Sequence, residues 1–307
     1  MSKFFDALNK GKGEMVEAIL PLMEGQAEAP QRSEDEGPDR PDAPAAVAAE
    51  TSGVAPSEIR EATSGAIRML PLRVAAPSPL LPFEDGQWRA SEQYRILRTK
   101  ISQHPRQPRL VVISSPASGD GKSVTAVNVA AALSLKSEAK VLLVDADFRK
   151  STISAQLGLP PAPGLAEVLK ESHSLEQALV NTQEFPNLYV LVAGTPPDNP
   201  VELLDSPQWI ALCERLRSLF RLVVIDSPPM AAVADYDLIQ AACDGVILVV
   251  RPDVTNRQLC RKALDTVAKA KFLGVLMNCV PDWSLASHGS HDHYYYYGKN
   301  SPQGRES

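Results

Sequence analysis

The sequence lacks an excess of basic side chains. Over 307 residues, 31 Lys and Arg stand against 37 Asp and Glu, a net charge of −6. A nucleic-acid surface needs surplus Lys and Arg to neutralise phosphates, so no nucleic-acid partner is expected. The imbalance is local: residues 1–90 carry 9 basic and 15 acidic side chains, and residues 91–307 carry 22 of each. Cysteine is scarce. Cys213, Cys243, Cys260 and Cys279 form no C-x-x-C pair, which argues against a disulfide frame or a zinc site. Also missing are an uncharged apolar run of about 18 residues, as a membrane helix requires, and a basic start followed by an apolar stretch, as a secretory signal requires. Neither membrane insertion nor export is expected.

Large aliphatic residues are almost absent from 24–58, where Val47 and Val54 stand alone, and residues 1–90 hold 10 of the 26 prolines. Such a composition cannot bury enough apolar surface to offset chain entropy. The expected organisation has four parts. Residues 1–23 form a short helix with Phe4, Leu8, Met15, Ile19 and Met23 on its apolar positions. Residues 24–87 are a disordered acidic linker rich in Pro and Ala, residues 88–282 the folded domain, and 283–307 a flexible tail rich in Tyr and His.

From Trp88 onward, short runs of Val, Leu and Ile recur at 109–115, 140–147, 188–194, 221–227, 245–250 and 273–278. Fully apolar runs of this length predict strands covered on both faces. Amphipathic stretches at 122–135, 202–219 and 256–269 alternate with them. The pattern predicts an α/β domain: a mostly parallel sheet flanked by helices on both faces, with its ligand at the carboxyl ends of the strands.

The first run leads into SSPASGDGKS (114–123) and then a helical stretch. Strand, glycine loop and helix are the context of a phosphate-binding P-loop. Ser118, Gly119, Asp120, Gly121, Lys122, Ser123 and Val124 are the expected nucleotide-binding residues. Gly119 and Gly121 let backbone N–H groups face phosphate oxygens. Lys122 reaches the β- and γ-phosphates, and the Ser123 hydroxyl suits Mg²⁺. The first glycine of the usual loop pattern is replaced by Pro116. Two further runs end in carboxylates, Asp145 and Asp147 in KVLLVDAD and Asp226 in RLVVIDS. In a parallel sheet these face the same crevice as the loop. The set predicts a Mg²⁺–nucleoside triphosphate site, with Ser123, Asp147 and Asp226 as metal ligands.

At these residues the chain resembles the bacterial tyrosine kinases, the P-loop kinases of capsule and exopolysaccharide synthesis. SPASGDGKS is similar to that family's Walker A motif, LLVDADFRK to its second acidic motif, and LVVIDSPP to its Walker B motif. LGLPPAPGLAEVL (157–169) and LVAGTPPDNPVELLDS (191–206) resemble its connecting segments. Ser151 stands where the family commonly has Pro, and Asp120 where Glu is commoner. The resemblance implies an ATP-dependent tyrosine autokinase with a P-loop NTPase-like fold. Its catalytic residues would be Lys122, Asp145, Asp147 and Asp226. Asp145 would accept the phenol proton, Arg149 and Lys150 could steer the phosphates, and Asn278 would lie near the base.

SEQYRILRTKI (91–101) resembles the family's E-x-x-R-x-x-R interface motif at Glu92, Arg95 and Arg98. That implies a ring of like subunits, while Tyr94, Leu97 and Ile101 occupy another face of the helix. The tail HGSHDHYYYYGKN places Tyr294, Tyr295, Tyr296 and Tyr297 together. In the family such tyrosines are phosphorylated by a neighbouring subunit. His288, His291 and His293 have no fixed scaffold, so adventitious metal binding is the expectation for them. A cytoplasmic chain is implied, recruited to the inner face of the membrane by a separate adaptor of the polysaccharide co-polymerase type. The rival is a partitioning or positioning P-loop ATPase switch. Those proteins carry a signature lysine five residues before the P-loop lysine, where this chain has Ala117, and they lack a tyrosine tail.

Overall fold

The computed structural model describes residues 67–280, apart from 76–77, 82, 84–87, 137–139, 231–232 and 253. The expected helix at 1–23, most of the linker and the tail lie outside the described residues. Eight strands form one sheet: β1 (Arg68–Leu70), β2 (Leu110–Ser114), β3 (Val141–Asp145), β4 (Val180–Thr182), β5 (Leu188–Leu191), β6 (Leu222–Asp226), β7 (Gly245–Val250) and β8 (Phe272–Met277). Their order is β1-β4-β5-β3-β6-β2-β7-β8. Only β4 and β5 pair antiparallel; β1 pairs parallel with β4, so these two run against the other six.

The helices are α1 (Trp88–Ser102), α2 (Lys122–Ser134), α3 (Ile153–Leu157), α4 (Leu165–Leu169), α5 (Leu175–Ala178), α6 (Pro200–Leu204), α7 (Pro207–Leu219), α8 (Asp235–Ala242) and α9 (Arg257–Thr266). The central strands are apolar at nearly every position because both faces are covered. Leu110, Val112, Leu142, Val144, Val223 and Ile225 face one core, with Trp209, Leu216, Tyr236 and Ala263 from α7, α8 and α9. Val111, Ile113, Leu143 and Val224 face the other, with Val127, Ala130 and Ala131 of α2 and Ile101 of α1. This is the helix-flanked, P-loop NTPase-like sheet that the alternating pattern predicts.

Three details differ from expectation. The described residues of 67–83, expected within the linker, belong to the domain. Leu70, Leu72 and Val74 alternate in the sequence, and all three pack against the second core. Pro71 falls just after β1, where its missing N–H breaks no ladder bond. Asn128 of α2 then holds the next stretch, accepting from Leu81 N (2.7 Å) and donating to Pro79 O (2.9 Å). Second, β1 and β4 are three residues each, too short to show a period. Third, the stretch 202–219 is broken into α6 and α7. Ser206 accepts from Trp209 N, and Pro207 takes the first position of α7, where its missing N–H is harmless.

Every described residue belongs to one compact unit. No helix among the described residues is long and apolar enough to cross a membrane.

Candidate active site

Residues 115–121 link the carboxyl end of β2 to α2. Gly119 and Gly121 have φ of +95° and +93°, a region that strains any residue with a Cβ. At Gly121 space is denied as well, because a Cβ there would overlap the side-chain amide of Asn278. Within α2, Thr125 N donates to Gly121 O (2.9 Å). The N–H groups of Lys122, Ser123 and Val124 precede that bond and have no acceptor one turn earlier. They form a positive helix start suited to phosphate. The Val124 side chain packs on the core, so its contribution to a nucleotide is its backbone. Ser118 and Gly119 are exposed on the loop.

The acidic residues converge by sheet register. Asp145 of β3 lies opposite Asp226 of β6, and Ile113 of β2 is also paired with Asp226. Lys122 reaches into this cluster. Its Nζ donates to Asp147 Oδ2 (2.8 Å) and Ser123 Oγ (3.2 Å), and it stands 3.6 Å from Asp226 Oδ1. Burial alone would push the Lys122 ammonium down, but the Asp226 and Asp147 charges outweigh it and hold its pKa above the ordinary value. Burial raises the Asp226 carboxyl, with Lys122 opposing. Burial also raises Asp145, and the Asp226 charge adds to it. Two carboxylates on neighbouring strands with little solvent resist being ionised together.

Each carboxylate has its own setting. Asp145 accepts from Asp147 N (3.2 Å) and Ile153 N (3.3 Å), and Asp147 Oδ1 accepts from Lys150 N (3.0 Å). Both residues therefore shape the turn after β3. Both carboxylate oxygens of Asp226 are buried and have no hydrogen-bond partner. Orphaned hard oxygens beside a serine hydroxyl fit a Mg²⁺ ion. Among the described residues no trio of His, Cys, Asp or Glu is arranged to hold a metal unaided. Mg²⁺ commonly takes one or two carboxylates and completes its shell with phosphate and water.

Two residues are placed differently from the sequence reading. The Asp120 side chain is turned to the protein: Oδ2 accepts from Ala117 N (3.1 Å) and Oδ1 from the Thr255 hydroxyl (2.7 Å). Arg149 is engaged by a carboxylate outside the loop. Its Nε and Nη2 each donate to Asp235 at 2.9 Å, a two-bond pair with a buried carboxylate at the start of α8. Asn278 meets the P-loop, its Nδ2 donating to Asp120 O (3.0 Å). Sequence reasoning missed Thr255 and Asp235. Thr255 is 135 residues from its partner and sits in no motif, so only the pairing of β7 with β2 reveals it.

Comparison with known proteins decides between kinase and switch. The family model of an AAA domain matches residues 108–273. The tyrosine-protein kinase YwqD of Bacillus subtilis (strain 168) is 38% identical over 208 residues, covering 66% of this chain and 86% of that protein. The chain belongs to the bacterial tyrosine-protein kinase family. The tyrosine-protein kinase CpsD of Streptococcus pneumoniae is 33% identical over 215 residues, covering 69% of this chain and 93% of the relative. Among solved structures, the chimerical protein CapA2B2 superposes with a TM-score of 0.62 at 32% identity, covering 71% of this chain and 94% of that one. The BceF tyrosine kinase domain does so with a TM-score of 0.56 at 34% identity, covering 62% and 78%.

ATP binding follows from the P-loop and from membership of this kinase family. In the kinase domain α1 lies on α2, with Tyr94, Leu97 and Ile101 turned to the core. Glu92 and Arg95 stay outside, 3.6 Å apart and about half exposed; Arg98 is partly exposed. An ion pair in that setting contributes little to stability, so the stripe is not explained by the fold. Tyr294, Tyr295, Tyr296 and Tyr297 lie outside the described residues.

Proposed function

We propose that this chain is an ATP-dependent tyrosine autokinase that transfers the γ-phosphoryl group to Tyr294–Tyr297 of a neighbouring copy. The observation that supports it most is Lys122, held between Asp147 and Asp226 at the start of α2. Lys122 and the N–H groups of Gly119–Val124 would bind and orient the β- and γ-phosphates. Catalysis is then mostly positioning and charge neutralisation. Ser123, Asp147 and Asp226 would hold Mg²⁺, which when bound offsets phosphate charge. Asp145 would orient the incoming phenol and take its proton. A phenol has a pKa near ~10 and needs such a partner at neutral pH. Burial strengthens Asp145 as a base, and each of its oxygens keeps a lone pair beyond its backbone bond.

The Glu92, Arg95 and Arg98 stripe would contact the next subunit of a ring. The resemblance of its motifs to kinases of capsule and exopolysaccharide synthesis suggests a place in such synthesis, where a separate membrane adaptor would recruit the kinase to the inner membrane face. Each tail phosphate adds roughly −1.5 to −2 charges. Phosphorylated tails would repel one another and loosen the ring.

The test is incubation with ATP and Mg²⁺, read with an antibody to phosphotyrosine. Wild type should give a signal that falls at least ~100-fold in Lys122→Met, since phosphate positioning and charge neutralisation carry the rate, and that disappears when Tyr294–Tyr297 are all Phe. A signal surviving in Lys122→Met contradicts the site. ATP hydrolysis with no phosphotyrosine would favour the switch ATPase.

A further inference from the structure

A buried carboxylate in a loop that collects N–H groups for phosphate is out of place, because it repels the anion the loop must hold. Asp120 is such a group, 2% exposed and next to Gly121 and Lys122. Its surroundings resolve the conflict. One oxygen accepts from Ala117 N within the loop, and the other accepts the Thr255 hydroxyl at 2.7 Å. The same hydroxyl oxygen accepts from Arg251 N (2.8 Å). Thr255 N donates to Arg251 O (2.9 Å), which closes a tight turn just after β7. β7 is hydrogen-bonded to β2, with Leu248 opposite Ser114, so that turn is anchored beside the P-loop. From the end of β8, Asn278 Nδ2 donates to Asp120 O (3.0 Å), while Asn278 N donates to Val250 O (2.8 Å). The loop is therefore gripped at one residue by two neighbouring strand ends.

We propose that Thr255 is a positioning residue for nucleotide binding: its hydroxyl holds the Asp120 carboxylate away from the phosphate cradle and, with Asn278, fixes the P-loop with its N–H groups free for phosphate. The Asp120 carboxylate acts as the anchor of the loop and not as a nucleotide ligand, leaving the residue's N–H to the cradle. Without the hydroxyl, the carboxylate is released toward the cradle, and the loop relaxes before nucleotide arrives. The reading concerns the same site as the proposed kinase activity. It is tested by binding alone, so a failure of tyrosine transfer would not touch it.

Thr255→Val keeps the shape and removes only the hydroxyl. A hydrogen bond to a charged acceptor is worth enough to shift affinity about tenfold or more. The expected result is an ADP Kd raised at least about tenfold in protein that still melts in a single cooperative transition, with a nucleotide-free melting temperature lowered because Asp120 and Arg251 N lose a buried partner. Thr255→Ser, which keeps the hydroxyl, should bind ADP within about twofold of wild type. In an Asp120→Ala background, Thr255→Val should change the Kd less than twofold, because the two groups act as one unit. Wild-type affinity in Thr255→Val, failure of Thr255→Ser to restore it, or the same tenfold loss in the Asp120→Ala background would each overturn the proposal.

Discussion

Asp226 keeps both carboxylate oxygens buried and without a hydrogen bond at the end of a central strand, with the Lys122 ammonium 3.6 Å from Oδ1. An arrangement of this kind lowers stability, and proteins retain it where a ligand completes it. Asp145 and Asp226 are both raised above the ordinary carboxylate value by burial. For such groups the folded state holds protons more tightly than the unfolded chain, so stability rises as pH falls through the raised values toward about 4. In the proposed mechanism catalysis runs the other way, because Asp145 would accept a proton and Asp226 would bind a cation only when ionised. Acidification from pH 8 to pH 6 should raise the melting temperature of the nucleotide-free protein and lower the rate of phosphate transfer. Asp226→Asn should flatten the stability trend and reduce transfer at least ~100-fold, the scale of a lost electrostatic contributor. Melting temperature and rate falling together on acidification would contradict this reading. At this scale Lys122, Asp145, Asp147 and Asp226 were legible in the sequence because each sits at a fixed offset from an apolar run. Asp235 and Thr255 were not, since each meets its partner only through tertiary contact.

Among the elements, the six runs of Val, Leu and Ile marked the six same-sense strands: burial on both faces of β2, β3, β6 and β7 leaves no polar position to blur the pattern, and the half-buried edge strand β8 stays apolar throughout. The two short strands on the other side of β5 escaped. β1 offers three residues and two prolines soon after, and β4 reads VNT. Their place is set by long-range bonds: Gln183 N to Leu70 O (3.1 Å), Arg73 N to Leu157 O (2.9 Å), and Leu72 N to the Glu184 carboxylate. Leu70, Leu72, Val74 and Leu80 cover apolar surface of the second core. A partly buried aliphatic side chain contributes roughly 1 kcal/mol or more. A chain begun at Trp88 should therefore unfold several kcal/mol more easily than one begun at Gly65, measured as the midpoint of urea denaturation at similar slope. Equal midpoints would show that the segment adds nothing.

For the whole molecule, the proposed function turns on a relation between copies. The stripe of Glu92, Arg95 and Arg98 lies on the outer side of α1, and the tyrosines lie at the far end of the chain. The stripe does not serve the core, and both features were visible in the sequence because their polar residues fall at regular or clustered positions with no apolar partner pattern. The most direct measurement mixes two variants with ATP and Mg²⁺: one chain carrying Lys122→Met with its tail intact, and one active chain whose Tyr294–Tyr297 are all Phe. Mass spectrometry of the tail then reports which chain is modified. The account predicts phosphotyrosine at 294–297 of the Lys122→Met chain only in the mixture. An unmodified tail in the mixture, under conditions where wild type phosphorylates itself, would contradict it.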